Sequence, residues 1–396
     1  MIDVADARER IRAHARPLPA ETVPLDEAAG RVLADAVLGL VDLPGFDRSS
    51  MDGWAVRAAD FASPPVSLPV LGDVAAGSPG DASLQAGTAL RISTGAPLPE
   101  GADAVLPLEQ GEETGGVLSS SARVEPHAFV RFRGEDVRAG EVLVPAGARL
   151  TPARLSVVAS GGVASVCVHR RPRVSIVATG SELVPLGEPL PPGAIYNSNG
   201  PTLTAHALAD GAVVLPSLRV EDDPQRTREV LGAALEDADV LLISGGVSVG
   251  GHDLVKDTLA GLGVQQLFWQ VRIKPGKPIY CGRRGDTWVF GLPGNPLSTV
   301  VGYLVFVAPL LRRMAGDRFA LPATTQVTLA ADAPNPGERT TYATARFANG
   351  GGVVLTDKQG SNMTKALADA DGFAILPWDR DVLPAGERIE FLPLPT

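Results

Sequence analysis

ADVLLISGGVSVGGHDLVKDTLAGLG, residues 238–263, decides the fold of this chain. ADVLLIS is a short apolar run that stops at a double glycine, which is how a strand buried on both faces ends. The glycines turn the chain, and DLVKDTLAGLG then follows with helical spacing. The same unit recurs around it. RVSIVAT (173–179) precedes the helix PTLTAHALADG, and AVVLPSLRV precedes the helix DPQRTREVLGAALED. VQQLFWQV, PIYCG and DTWVFGL lead to a last helix, PLSTVVGYLVFVAPLLRRMAG. Strands alternating with helices across 173–320 predict a doubly wound α/β domain. In such a sheet ligands bind in the crevice beyond the carboxyl ends of the strands. Three turns gather there: ATGSEL (178–183), SGGVSVGGHD (244–253) and GLPGNPLS (291–298).

Outside this domain the pattern changes. Between 46 and 145, short β-prone pieces (VSLPVLG, ALRIS, DAVLPL, HAFVRF, EVLVPAG) alternate with Gly/Pro turns and predict an all-β module. Residues 3–13 read as a helix, with Val4, Ala7, Ile11 and Ala15 on one face. TPARLSVVAS (151–160) reads as another, with Thr151 as N-cap and Pro152 at its first position. Pairing these two helices makes the β module an insertion into a small helical linker domain, 1–45 with 146–172. From 321 to 396 short strands return (TTQVTLA, TYATARF, GVVLTD, GFAILP, ERIEFLP) and predict a separate C-terminal β barrel.

Composition narrows the function. A net charge of −10 with no long basic stretch argues against nonspecific nucleic-acid binding, so any anion must be gripped locally. Two cysteines, Cys167 and Cys281, exclude a disulfide framework, and no Cys/His zinc spacing occurs. The charged start MIDVADARERIRAHARP is not a signal peptide, and the apolar run 300–311 falls short of the ~20 residues that span a bilayer. A cytoplasmic protein with no membrane or nucleic-acid partner is expected.

The turns carry the chemistry. In GLPGNPLS, Asn295 and Pro296 start a helix whose unpaired N–H groups and Ser298 hydroxyl suit an oxyanion; the bland alternative is a well-capped connection. The paired glycines of SGGVSVGGHD let backbone approach a phosphate. Asp253 at its end is either an N-cap or a Mg²⁺ ligand, with Glu182 of TGSEL as a second candidate. No Walker or dinucleotide-binding glycine motif is present. IKPGKP (273–278) aims Lys274 and Lys277 from one tight turn, an arrangement that favours an anion between them. Asp52 in FDRSSMDGWAVRAADF, Thr94 in RISTGAPLPEGADAV and Asp136 in RFRGEDVRAGE lie in the β module, where each alone reads equally well as a solvated turn.

Taken in order, SSMDGWA, RISTGAPLPEGADAV, RGEDVRAGE, VATGSEL, SGGVSVGGHD, IKPGKP, GLPGNP and QGSNM (359–363) resemble the molybdopterin molybdenumtransferases, the MoeA and gephyrin E-domain family. The resemblance covers nearly the whole chain. It implies that the α/β domain binds molybdopterin, and that adenylylated molybdopterin and molybdate become molybdenum cofactor and AMP with Mg²⁺ assisting. Asp253, Glu182 and Asp52 would be catalytic, with Glu182 and Asp253 holding the metal. Substrate contacts would come from Thr94, Asp136, Ser244, Gly245, Gly246, Ser248, Lys274, Lys277, Pro293, Gly294, Asn295, Ser298, Arg346 and Ser361, with Arg339 as the rival of Arg346. The resemblance also implies a homodimer with a shared active-site cleft, and a molybdopterin adenylyltransferase as a further partner. Two other readings remain at this stage: a non-enzymatic scaffold of the gephyrin E-domain type, and a tungstate-inserting homologue.

Overall fold

In the computed structural model, which describes residues 1–246, 254–317 and 321–394, Val240–Ser244 is an interior strand of a seven-stranded sheet. Arg173–Thr179 runs parallel to it on one side and Thr287–Leu292 on the other. Beyond Arg173–Thr179 lie Val213–Val214 and Leu218–Val220, also parallel. AVVLPSLRV, expected as one strand, is thus two, because Pro216 between them has no N–H for a ladder. Tyr280–Arg284 and Gln265–Trp269 finish the opposite edge in antiparallel pairing.

The apolar runs are explained by burial on both faces. Val174, Ile176, Val240, Leu242 and Phe290 share a core with helices Asn199–Ala209 and Pro296–Met314. Val177, Leu241, Ile243 and Val289 face helices Pro224–Asp237 and Leu254–Gly261. This is the doubly wound arrangement expected. After Arg173–Thr179 the chain moves outward to one edge, and after Val240–Ser244 it moves toward the other. The connections part between these two strands, which is where such sheets open a crevice. Pro296–Met314 has a mean hydropathy of 1.4, but 89 % of it is buried in the protein, so it is a core helix.

Ala20–Pro24 pairs with Ser165–His169, and Val37–Leu38 with Val142–Val144. These segments and helix Pro152–Ser160 enclose one core around Leu33, Leu150, Val158 and Val168. Thr151 caps that helix by accepting the Arg154 N–H. The N-terminal helix Val4–His14 does not join it. Ala7, Ile11 and Ala15 instead pack into the α/β core beside Val305 and Phe306, and Arg8 Nε donates to the Val305 carbonyl at 3.2 Å. The physical reason is that Pro296–Met314 is apolar all round and needs cover on its outer side.

The β module is a six-stranded sheet in the order Ala104–Pro107, Gly53–Val56, Ala89–Ile92, Val66–Val74, Val117–Ser120, Glu112–Thr114. At the C-terminus, Thr340–Phe347, Gly372–Leu376, Arg388–Pro393 and Thr325–Thr328 pair successively. Val353–Leu355 pairs with Thr340–Phe347, and a bridge from Leu329 to Val353 closes the barrel. Val353–Leu355 covers only Ala345–Phe347 of the long strand, so the start of that strand keeps an open edge. The short strand Ile273–Lys274 fills it, parallel to Thr340–Thr341.

One ion pair ties the linker segments to the α/β sheet. Arg170 donates twice to Asp239, at 2.6 Å each, and the Arg173 N–H donates to the same carboxylate at 2.8 Å. Burial raises the Asp239 pKa, but the Arg170 hydrogen bonds, the Arg173 N–H and the two arginine charges outweigh it, leaving the group below its ordinary value. A depressed carboxylate contributes stability above its unfolded pKa and loses it as pH falls through the folded one. Asp239→Asn is therefore expected to cost about 1–3 kcal/mol at neutral pH. Urea titrations of both proteins down to acid pH check this: the gap should close in acid, and a constant gap would refute the assignment.

Candidate active site

A crevice of about 690 Å³ opens where the connections part. Its walls are the ends of neighbouring strands: Thr179, Gly180 and Glu182 after one, Ser244, Gly245 and Gly246 after the next, and Gly294 with Asn295 after the third. The amide-rich run Tyr196–Asn199 and Asp222 complete the α/β side, and Asn362 arrives from the C-terminal barrel. Of the residues expected from sequence, Glu182, Ser244, Gly245, Gly246, Gly294 and Asn295 line this one space. Ser248 and Asp253 fall outside the described residues.

The double glycine is required by geometry. Gly245 and Gly246 have φ of +96° and +66°, and a Cβ on either would sit 2.9 Å from Thr179 Oγ1. That Thr179 hydroxyl is buried and without a hydrogen-bond partner among the described residues, although the residue lines the crevice. Buried orphan groups are rare in folded proteins and concentrate where a ligand supplies the missing bond. On the other flank, Asn199 Nδ2 donates to Ser244 Oγ and to the Gly294 carbonyl, each at 2.7 Å, and so ties two turns together.

Two carboxylates face the space. Glu182 is exposed, and its oxygens lie 2.6 and 2.7 Å from where a Cβ on Gly180 would be, so the side chain folds back over that glycine. Asp222 is joined to Ser181 by reciprocal bonds, the Ser181 N–H to its carboxylate at 3.3 Å and its own N–H to Ser181 Oγ at 3.1 Å. Among the described residues no three His, Cys, Asp or Glu side chains converge as a metal cage. Two carboxylates nevertheless suit Mg²⁺, which takes one or two together with phosphate oxygens.

The start of helix Pro296–Met314 differs from expectation in two respects. Asn295 supplies its carbonyl to Thr299 N–H at 3.0 Å, but its side chain makes no cap and faces the crevice instead. The Leu297 N–H, one of the groups expected to meet an anion, donates to the Ser361 carbonyl at 3.0 Å. Ser361 thus reaches the helix start through its backbone. Gln359 holds this segment in place by accepting the Thr344 N–H at 3.1 Å and donating to the Thr344 carbonyl at 2.8 Å. Ser298 is buried in the first turn, and the buried Pro293 carbonyl accepts the Thr299 hydroxyl at 2.5 Å.

Lys274 and Lys277 are half-buried and do not line the crevice, but their turn is next to it. A Cβ on Gly276 would lie 3.5 Å from the Ser298 carbonyl, and Gly276 has φ +105°. Neither ammonium group has a hydrogen-bond or ion-pair partner among the described residues. Arg346 is elsewhere. It is exposed in a recess of about 230 Å³ with Thr356, Lys358 and Lys365. Arg339 immediately precedes Thr340–Thr341, the pair that registers with Ile273–Lys274. The strand's length therefore puts Arg339 at the lysine end and Arg346 at the other.

The three upstream residues converge within the β module and not on the crevice. The Asp52 carboxylate accepts the Thr94 N–H at 2.7 Å, Asp47 accepts the Arg133 N–H at 2.7 Å, and Ser49 pairs with Val130. These contacts bring the turns carrying Asp52, Thr94 and Asp136 to one end of the module. Sequence reading missed Thr179, Asn197, Ser198, Asn199, Asp222 and Asn362. The run YNSN just before a helix was a usable signal for the amides, and EDDP held Asp222 beside the true cap, Asp223.

Comparison with known proteins places this site in a class. Three family models divide the chain: MoeA N-terminal region (domain I and II) over 2–162, a probable molybdopterin binding domain over 175–313, and MoeA C-terminal region (domain IV) over 326–394. Similar curated proteins include molybdopterin molybdenumtransferase 2 of Mycobacterium tuberculosis, 38 % identical with 96 % of each chain covered. The molybdopterin molybdenumtransferase of Haemophilus influenzae is 35 % identical over 95 % of each. A crystal structure of a molybdopterin biosynthesis MoeA protein from Pyrococcus horikoshii superposes with a TM-score of 0.83 at 31 % identity, covering 99 % of both chains. The chain belongs to the molybdopterin molybdenumtransferase family.

Thr179→Val keeps volume while removing the orphan hydroxyl, whose burial costs roughly 1–3 kcal/mol. Its thermal midpoint is expected to hold or rise while turnover falls. A lower midpoint would mean that the hydroxyl is structural.

Proposed function

We propose that this chain inserts molybdenum into adenylylated molybdopterin, releasing molybdenum cofactor and AMP. The observation that carries the reading is the adjacency of two unlike sites. One is a polar crevice over the strand ends; the other is a lysine pair, without a partner among the described residues, whose turn packs against the first turn of a helix. Molybdate is a tetrahedral dianion, and two ammonium groups from a turn beside a buried serine suit it. Lys274, Lys277 and Ser298 receive it in this reading, with Arg339 rather than Arg346 completing the cradle because Arg339 immediately precedes the pair that registers with Ile273–Lys274.

The crevice takes the organic substrate. Gly245, Gly246 and Gly294 admit close approach, while Thr179, Ser244 and Asn199 supply polar contacts. Glu182 and Asp222 are the described residues that would hold Mg²⁺, joined by Asp253. When bound, the ion neutralises charge on the phosphoryl oxygens as the anhydride is cut. The carboxylates keep the phosphoryl groups oriented, and Ser361 and Asn362 close the space from the barrel side.

Asp52, Thr94 and Asp136 enter through a second copy of the chain. Their cluster does not line the crevice of its own subunit, and a strip of exposed apolar residues, Leu38, Leu40, Val41, Phe46 and Val142, runs along the linker beside the β module. Monomeric surfaces seldom carry such strips uncovered. A homodimer whose cleft is shared uses both features. The units given above, with the helix Val4–His14 moved to the α/β domain, a cytoplasmic setting and an adenylyltransferase as supplier of substrate belong to the same reading.

Two measurements test it. Lys274→Ala with Lys277→Ala should raise the KM for molybdate by about 100-fold or more, since charge-assisted contacts contribute about 1.5–3 kcal/mol each. Tungstate, alike in size and charge, should compete in the wild type. An unchanged KM would remove molybdate from that turn. Separately, Asp52→Ala and Asp253→Ala should each be inactive, yet regain activity when mixed, because one cleft of the mixed dimer is intact. Failure to complement would count against the shared cleft.

A further inference from the structure

The hydrogen bonds around Asn199 leave an asymmetric remainder. Its partner, the Gly294 carbonyl, can only accept, so the group facing it is the amide NH₂, and the amide orientation is settled. The second amide hydrogen goes to Ser244 Oγ. Both donors of Asn199 are thereby used inside the protein. Its Oδ1 has no partner among the described residues, and neither has the Ser244 hydroxyl hydrogen, because that oxygen serves as acceptor in its single bond to Asn199. Both residues are buried, at 8 % and 3 % exposure, and both line the crevice.

One open acceptor and one open donor, held in fixed relation by the hydrogen bond between their side chains, make a recognition edge. We propose that Asn199 and Ser244 act together to read an edge of the substrate's fused heterocycle that offers an N–H and a hydrogen-bond acceptor side by side. Asn199 Oδ1 accepts the N–H, and Ser244 donates its hydroxyl to the neighbouring acceptor. The lactam of a pterin has this edge, and so has adenine through its amino group and adjacent ring nitrogen. Asn199 also has a positioning role, since the same amide sets the spacing of the Ser244 and Gly294 turns. The inference rests on the crevice being the site of the organic substrate and adds which part of that substrate it recognises.

The alternative is that Asn199 only holds the two turns together. Competition against molybdopterin separates the two, using pterin with 3-methylpterin, which lacks the N–H, and AMP with its N6-dimethyl derivative. The wild type should prefer the unmethylated member of one pair by about tenfold or more, because a site built to bond an N–H rejects the analogue lacking it. Which pair shows the preference identifies the ring. Asn199→Ala removes the acceptor and should abolish the preference. Ser244→Ala removes the donor to the acceptor that both members of a pair carry, so it should weaken both, and Ser244→Thr should keep wild-type binding. If Asn199→Ala weakens both members of a pair equally, the amide is purely structural and the inference falls. Molybdopterin binding by the wild type with no preference in either pair overturns the inference alone. No molybdopterin binding at all overturns the function assigned to the crevice, and this inference with it.

Discussion

Everything at the site depends on a level finish to three parallel strands. Val174–Ala178 registers with Val240–Ser244, and Val240–Ser244 with Trp288–Leu292, without a shift. Each strand therefore hands over to its turn at the same height. Thr179, Gly245 and Pro293 become neighbours because the ladder ends there, and the Gly245 N–H still bonds the Leu292 carbonyl at 3.0 Å. A one-residue slip would turn every core side chain to the wrong face. The two-sided apolar packing that fixes this register thus also fixes the spacing of the ligand-facing turns. Stability and recognition share one cause.

The parts of this arrangement written as local pattern could be read from the chain. VLLIS, RVSIVAT and DTWVFGL announce doubly buried strands, and the glycines that follow announce turns over them. Thr151 and Pro152 announce a helix start that the structure contains. What resisted reading depends on distance in space. Nothing near Ala7 or Ile11 says that their helix covers Val305 and Phe306 rather than pairing with Pro152–Ser160. Arg339 and Arg346 look alike in sequence, and only the pairing of Ile273–Lys274 with Thr340–Thr341 tells them apart. Asn199 was overlooked for a different reason. Its importance lies in two acceptors, one 45 and the other 95 positions away.

The C-terminal barrel is an integral wall of the site. Ile273–Lys274 leaves the α/β domain to extend the barrel's pairing, so the lysine turn is held from both sides. From the barrel, the Gln359 side chain mimics a strand partner for Thr344 and sends Ser361 to the helix start. The Leu297 N–H there is occupied by backbone rather than left for an anion. That changes the electrostatic account of oxyanion capture. One helix-start donor is already satisfied, so in the proposed reading the attraction would fall mainly to the two lysine ammonium groups, which carry full charges and have no protein partner of opposite sign among the described residues.

Separation between the lysine turn and the crevice then constrains the substrate. Lys274 and Lys277 lie beyond the crevice lining, with the Ser298 turn between them and the floor. A compact ligand could touch one site or the other. A molecule that uses both has to be long, with a heterocycle anchored over the strand ends and a metal-accepting group reaching past the helix start. Adenylylated molybdopterin has that extent, with ring, dithiolene, phosphates and nucleotide in series. The carboxylates Glu182 and Asp222 sit on the side of the crevice away from the lysines' strand, formed by turns after the first and outermost parallel strands. In the proposed reading, that placement would keep a cation at the carboxylates apart from an oxyanion at the lysines, so that neither cancels the other. Opposite charges at opposite ends orient such a substrate in one direction only.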